Sequence, residues 1–400
     1  EMSASLVGSE MCIRDRYNER AMEYEITVTA ASGVEGVTKR ELKRLGVEEP
    51  RAVGGAMTFA GDETMIARCN MFLRTADRVY LGVGRFRAET FDQLFDGIYS
   101  LPWEAFLPAD ALVTADGKSV KSKLFALSAC QSIVKKAIVS RLEKAYRRSD
   151  FPETGARYMV EFSILKDVVS VRLNTSGAGL HKRGYRDLVG RAPLKETLAA
   201  AMVLLSDFYY LRPFADPFCG SGTIVIEAAR IALNVASGIG RDFDFRHWDF
   251  FDPSAYARAA EEARDGECRS RKLSFFGSDI DPRAVRLARR HAERAGVGNA
   301  VRFDTADVRD FKSALPEGVV VTNPPYGERL LDVKEAQALY RVLGTAWRGL
   351  DNWSAFVLTS APAFEYHFGR KADKNRKLYN SNKECRYYMF YRRRGEAGGE

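Results

Sequence analysis

The sequence predicts an α/β fold in which a mostly parallel sheet fills the C-terminal half and smaller α+β modules precede it. Three observations carry this expectation. The apolar run Val319-Val320-Val321 reads as a strand buried on both faces, and Asn323-Pro324-Pro325-Tyr326 ends it at once. Phe214-Ala215-Asp216, the turn Cys219-Gly220-Ser221-Gly222 and the run Ile224 to Leu233 form a strand, glycine turn and helix. Leu273 to Asp281 reads as a further strand ending in acids, with Pro282 in the first turn of the next helix.

At roughly 100 to 200 residues per domain, the 400 residues imply two or three domains, and a 46% hydrophobic fraction can build their cores. No stretch approaches the ~20 apolar residues of a membrane span and no leader resembles a signal peptide, so the expected location is the cytoplasm. Cys12, Cys69, Cys130, Cys219, Cys268 and Cys385 are scattered without metal-ligand spacing and are expected to be reduced, with no metal. A net charge of +8 is compatible with a polyanionic partner.

Residues 1–21 lack periodicity and are expected to be a non-native or disordered leader, with Met22 opening the first strand. Tyr24, Ile26 and Val28 alternate as in a half-buried strand, and a helix follows over Val34 to Leu45 with Gly46 as its stop. Strand signals at Ala56 to Ala60 and Arg78 to Phe86, with a helix near Thr64 to Leu73, complete an α+β module over 22–85. The next module, 86–180, has a helix at Phe91 to Tyr99 and strands at Ala111 to Ala115 and Tyr158 to Leu165. Between Lys118 and Arg148 it holds nine basic residues against one acid, Glu143. Ile133, Val134, Ala137, Ile138 and Leu142 recur at helical spacing, which leaves Lys135, Lys136, Arg141, Lys144, Arg147 and Arg148 for an outer face suited to phosphates. Residues 181–394 form the C-terminal domain, and 395–400 are expected to be a disordered tail.

The chemistry is concentrated at the predicted strand ends. A nicotinamide fingerprint would place a third glycine where Val225 stands, and a carboxylate such as Asp216 would repel a pyrophosphate. Asp216 suits a ligand with a cationic amino-acid head, and an acid at Asp279 can chelate two ribose hydroxyls. Asp307-Val308 stands where a carboxylate and a backbone N–H could meet an adenine amine, although such an acid more often caps a helix. Asn323 and the carbonyls of a proline turn are hydrogen-bond acceptors suited to an exocyclic amine.

Taken together, Leu180 to Arg186, Ala192 to Glu196, Asp216 to Gly222, Gly277 to Pro282 and Asn323 to Tyr326 resemble the bacterial THUMP-containing methyltransferases that modify N2 of guanine in 23S ribosomal RNA. The resemblance implies a Rossmann-like class I methyltransferase domain with a mostly parallel seven-stranded sheet, preceded by ferredoxin-like and THUMP RNA-binding modules. It implies S-adenosylmethionine as cofactor. Asp216, Gly220 and Gly222 would hold its methionine part and Asp279 its ribose hydroxyls, with Asp281 as the substitute acid and Phe218 and Ile280 as further cofactor-binding residues. Asp307 and Val308 would take the adenine, and Pro193 and Leu194 would close the methionine end. Asn323, Pro324 and Pro325 would orient the target amine and Tyr326 would stack on the base. Lys182, Arg183 and Arg186 would join the RNA-facing set, with His181 beside them, while His247, His291 and His367 are read as structural. Alternatives are a guanine in tRNA, an amino group of DNA, or a non-enzymatic RNA-binding assembly factor. The oligomeric state is left open.

Overall fold

The computed structural model describes residues 23–53, 55–186, 194–326 and 333–391. The expected leader, the tail at 395–400 and Pro193 lie outside the described residues. Two seven-stranded sheets organise the chain.

The first sheet is built from β1 (Tyr24–Ala30), β2 (Arg51–Val53), β3 (Ala56–Gly61), β4 (Ala76–Arg87), β5 (Leu112–Val120), β6 (Arg157–Leu165) and β7 (Val168–Asn174), in the order β2-β3-β1-β4-β7-β6-β5. Its helices are α1 (Glu35–Arg44), α2 (Glu63–Phe72), α3 (Phe91–Tyr99) and α4 (Leu127–Tyr146). The alternation in β1 has its expected cause, since Ile26 and Val28 are wholly buried. The boundary at 85/86 falls inside the twelve-residue β4, which pairs with β1 along its first half and with β7 beyond. The register shifts between Gly82 and Gly84, where a Cβ on Gly84 would lie 2.3 Å from Leu101 Cδ2. Helix α4 buries Cys130, Val134, Ala137, Ile138 and Leu142, one apolar stripe along twenty residues.

The second sheet contains β8 (Phe214–Asp216), β9 (Phe275–Asp279), β10 (Val301–Thr305), β11 (Gly318–Thr322), β12 (Trp353–Thr359), β13 (Lys374–Asn380) and β14 (Lys383–Phe390). Their order is β10-β9-β8-β11-β12-β14-β13. The first five are parallel, and the β13–β14 hairpin adds the antiparallel edge. The chain progresses from β8 outward to β10 and then returns to β11, so the order reverses between β8 and β11, where open α/β sheets bind ligands. Its helices are α5 (Glu196–Leu205), α6 (Thr223–Ala232), α7 (Pro253–Asp265), α8 (Pro282–Arg294), α9 (Val333–Arg348) and α10 (Phe364–Phe368). Among the described residues no helix is long and apolar enough to cross a membrane.

The two sheets are joined by an excursion of the second. After α6 the chain leaves its sheet, and α7 lays Ala255, Ala259, Ala260 and Ala263 into the N-terminal core. Gly238 N–H donates to Met71 O at 2.8 Å, Ser237 Oγ donates to Leu73 O at 2.8 Å, and Arg68 grips Glu262 bidentately at 2.9 and 2.8 Å. Beside this joint lies a buried ionic cluster. Tyr185 donates to Glu227 Oε1 at 3.0 Å, while Arg183 lies 3.7 Å from Glu227 Oε2, both side chains fully buried.

Arg183 also donates to the carbonyls of Leu180, at 2.6 Å, and Arg74. Arg186 donates to Leu194 O at 2.8 Å and pairs with Glu196 at 3.3 Å, with each side chain only 6% exposed. These two arginines therefore leave the RNA-facing set: they bind interior carbonyls and carboxylates, which repay the desolvation of their charge. Lys182 alone of the three is exposed.

Candidate active site

The site begins with β8, three fully buried residues that end at Asp216. Its carboxyl Oδ1 accepts from Phe218 N–H at 3.1 Å and from the Thr322 hydroxyl at 2.6 Å. Burial pushes the Asp216 carboxyl up to about 7, opposed by these two donors and reinforced by the charge of Asp279. A cationic group brought beside it would restore the ionised form.

The turn that follows needs its glycines for two different reasons. Gly222 stands at φ +82, and a Cβ there would lie 2.9 Å from Ala288 Cβ and Phe303 Cζ, so it permits α6 to seat against α8 and β10. At Gly220, φ is +50 and a Cβ would meet nothing within 4 Å. Its open side is the cradle that a cofactor passing close to the backbone requires. His291, buried on α8, lies with Nδ1 3.1 Å from Ser221 O and braces this turn.

Asp279 ties the turn to the neighbouring strand. Its Oδ2 accepts from Gly220 N–H and its Oδ1 from Asp281 N–H, both at 3.0 Å. The next residue, Ile280, is 66% exposed, an apolar surface directly beyond a strand end. Asp281 is occupied otherwise: it caps α8, accepting from Arg283 N–H at 2.8 Å, and that bond draws its carboxyl below the ordinary range. Asp307 caps the short turn 308–310 through Arg309 N–H at 2.8 Å and pairs with the Arg309 guanidinium at 3.1 Å, while Val308 is buried. Both oxygens of Asp307 are thus engaged, and an adenine amine would share or displace them. Leu194 is buried at the start of α5, its carbonyl held by Arg186.

Across the switch point, β11 delivers Asn323-Pro324-Pro325-Tyr326. Parallel pairing of β8 with β11 brings Thr322 to Asp216, so one hydrogen bond joins residues 106 apart in sequence. The Pro325 carbonyl accepts from the Tyr340 hydroxyl of α9 at 2.7 Å, which fixes the second proline from behind. Tyr326 does not stand as an open stacking surface in this conformation. Its hydroxyl donates to Asn323 Oδ1, its ring lies 5.1 Å beneath the Lys383 ammonium, and Cys385 Sγ is 3.9 Å from its oxygen. Burial holds that hydroxyl far above its ordinary pKa, so it acts as a donor. Sequence reasoning missed Thr322, Tyr340, Lys383 and Cys385, which come to the site from β11, from α9 and from the β13–β14 hairpin.

The basic face on α4 is smaller than the local count of charges implies. Lys135 pairs with Glu153 at 2.8 Å, and Arg141 is committed to Glu104 bidentately. Lys136, Lys144, Arg147 and Arg148 are exposed. His181 is partly buried and pushed down to about 4 by desolvation and the neighbouring lysines, so it is neutral at physiological pH.

A reversed-order parallel sheet, a glycine turn open toward the ligand, acids after β8 and β9 and an amide-proline turn after β11 define a class I methyltransferase that uses S-adenosylmethionine. Models of three families match in order: an RlmL ferredoxin-like domain at 25–80, a THUMP domain at 88–174 and an RMKL-like methyltransferase domain at 183–389. The chain belongs to the THUMP-containing RMKL-like methyltransferases. It is 45% identical to a Bacillus subtilis protein named "Putative RNA methyltransferase YpsC", over 92% of this chain and 96% of that one. It is 33% identical to the "Ribosomal RNA large subunit methyltransferase K/L" of Shewanella baltica, over 90% of this chain and 52% of that protein, about half its length. Among solved structures, a "predicted N6-adenine-specific DNA methylase" of Listeria monocytogenes superposes with TM-score 0.88 at 47% identity, covering 93% of this chain and 97% of that one. "SMU.472, a putative methyltransferase complexed with SAH" superposes with TM-score 0.89 at 42% identity, covering 94% and 99% respectively.

Proposed function

We propose that this chain methylates an exocyclic amine of an RNA base, and that N2 of a guanine in 23S ribosomal RNA is its target. The observation that carries the reading is the Thr322 hydroxyl bond to Asp216, which joins the donor-side acid to the amine-holding turn through one strand end. S-adenosylmethionine supplies an already electrophilic methyl group, so the protein's task is to hold and orient both partners.

Asp216 would receive the cationic amino-acid head of the cofactor, Asp279 the ribose hydroxyls, Ile280 the adenine face and Asp307 the adenine amine. The lone pair of a guanine amine is delocalised into the ring. Asn323 Oδ1 and the Pro324 carbonyl, accepting its two hydrogens, would draw the nitrogen toward a geometry in which that pair is available. In this reading the amine takes the acceptor that the Tyr326 hydroxyl now uses, and the released ring turns to stack on the base. RNA as substrate is supported by the THUMP domain, by the names of the two relatives, and by the exposed Lys136 and Lys144 of α4 with Arg147 and Arg148 just beyond its end.

The test is to offer labelled cofactor to mixed RNA and DNA pools and then to map the labelled nucleotide by mass spectrometry of nuclease fragments. Label on the N2 of a 23S guanine is the expected result. Label confined to duplex DNA would overturn the reading, and label in tRNA would move the target while leaving the chemistry.

A further inference from the structure

We propose that the loop between β5 and α4 is a separate RNA-binding site, a platform on which Phe125 stacks an unpaired nucleotide. The proposal rests on the reading of this chain as an RNA-acting enzyme. Phe125 is 80% exposed, and the elements that flank its loop end in exposed apolar residues as well: Val120 closes β5 at 47%, Leu127 opens α4 at 38% and Leu165 closes β6 at 40% exposure. Val120 and Leu165 are register partners in parallel strands, so their side chains share one face, and Lys118 lies two residues back on that face of β5.

The loop that presents the ring is fixed. Lys123 N–H donates to Asp167 Oδ1 at 2.7 Å, Asp167 N–H to Ser122 Oγ at 3.1 Å, Ser122 Oγ to Val120 O at 3.0 Å, and Lys166 N–H to Val120 O at 3.3 Å. Lys121 takes the left-handed conformation, φ +50, at the bend. Leu124, next to Phe125, is buried in the core of the first sheet. A rigid loop holding a large ring in water has already lost the entropy that stacking would otherwise cost.

Charge selects the occupant. Lys118, Lys121 and Lys166 are exposed and form no ion pair with a described residue, whereas Lys123 is held by Glu89. A ring set among free cations fits a nucleotide, with the base on the ring and its flanking phosphates on the lysines. Every base has a π face, so the platform is expected to accept unpaired RNA with little regard to sequence.

The experiment measures binding of the full chain to a fluorescent unpaired RNA oligonucleotide and to a duplex of the same length, beside methyl transfer to ribosomal RNA. Phe125→Ala is expected to weaken the single strand about 5- to 100-fold, Phe125→Tyr to restore it, and duplex and cofactor affinities to stay unchanged. Reversing Lys118 and Lys166 together is expected to flatten the salt dependence by roughly one phosphate contact per lysine. Single-strand affinity unchanged in Phe125→Ala, or single strand and duplex weakened alike, overturns the platform. If the unaltered chain transfers label to RNA under those conditions, only the platform falls. If it neither binds nor labels RNA, the underlying reading falls with it.

Discussion

The two sheets have the same number of strands and serve ligands in opposite ways. In the C-terminal sheet, neighbouring parallel strands all end on one side, so Asp216, Asp279 and Asn323 converge although more than a hundred residues separate the first from the last. In the mostly antiparallel N-terminal sheet no such convergence exists, and the basic face is the outside of one helix, its strength set by acids that arrive from elsewhere. The former makes a point site specified by short local phrases. The latter makes a surface whose charge depends on the whole fold.

The comparison can be broken first at the joint. Removing Glu227 leaves the buried Arg183 without its carboxylate, and Glu227→Ala is expected to cost about 3–5 kcal/mol in urea unfolding. A loss below about 1 kcal/mol would show that the cluster does not hold the sheets together. At the point site, Asn323→Ala is expected to lower kcat about 100- to 1000-fold with cofactor affinity unchanged, read by single-turnover transfer of labelled methyl. Unchanged turnover would remove Asn323 from the chemistry.

The pH response sharpens the same side. The raised Asp216 carboxyl means that the cofactor-free fold binds a proton more tightly than the unfolded chain does, so its contribution to stability falls as pH rises from about 4 to about 7. Binding a cationic head requires the ionised form. Cofactor affinity measured by calorimetry should therefore weaken as pH drops below about 7, approaching tenfold per unit, and Asp216→Asn should abolish that slope. On the surface side the effects are smallest and graded. Lys136→Glu should reduce the salt slope of RNA binding more than Lys135→Glu, because Lys135 is already balanced by Glu153. Equal effects would mean that the pair does not persist in solution.

What was legible in the sequence follows the same division. The glycine turn, the strand-end acids and Asn323 to Tyr326 could be placed because a strand, its turn and its helix are contiguous in the chain. Thr322 could not, since its role exists only once β11 lies beside β8. Arg183 and Arg186 were misassigned because a run of basic residues looks the same whether its partners are phosphates or interior carboxylates distant in sequence, here Glu227 and Glu196. Tyr326 was read as the residue that stacks on the base, and its present neighbours Lys383 and Cys385 could not be foreseen, because they come from the β13–β14 hairpin, far away in sequence. Helix α7 escaped notice as a joint because its alanines, spaced for burial, do not reveal which core they enter.

Strand β4 has a practical consequence for anyone dissecting the protein. Two family models meet across it, which invites a cut between residues 80 and 88. Such a cut would sever the shared strand and leave two half-sheets, each with a row of unsatisfied backbone groups that other chains could pair with. Truncated halves are therefore expected to aggregate on expression, and a fragment ending after β7 keeps every ladder of the first sheet but strips its core of Trp248, Phe251 and the α7 alanines, so the two sheets are best kept in one chain.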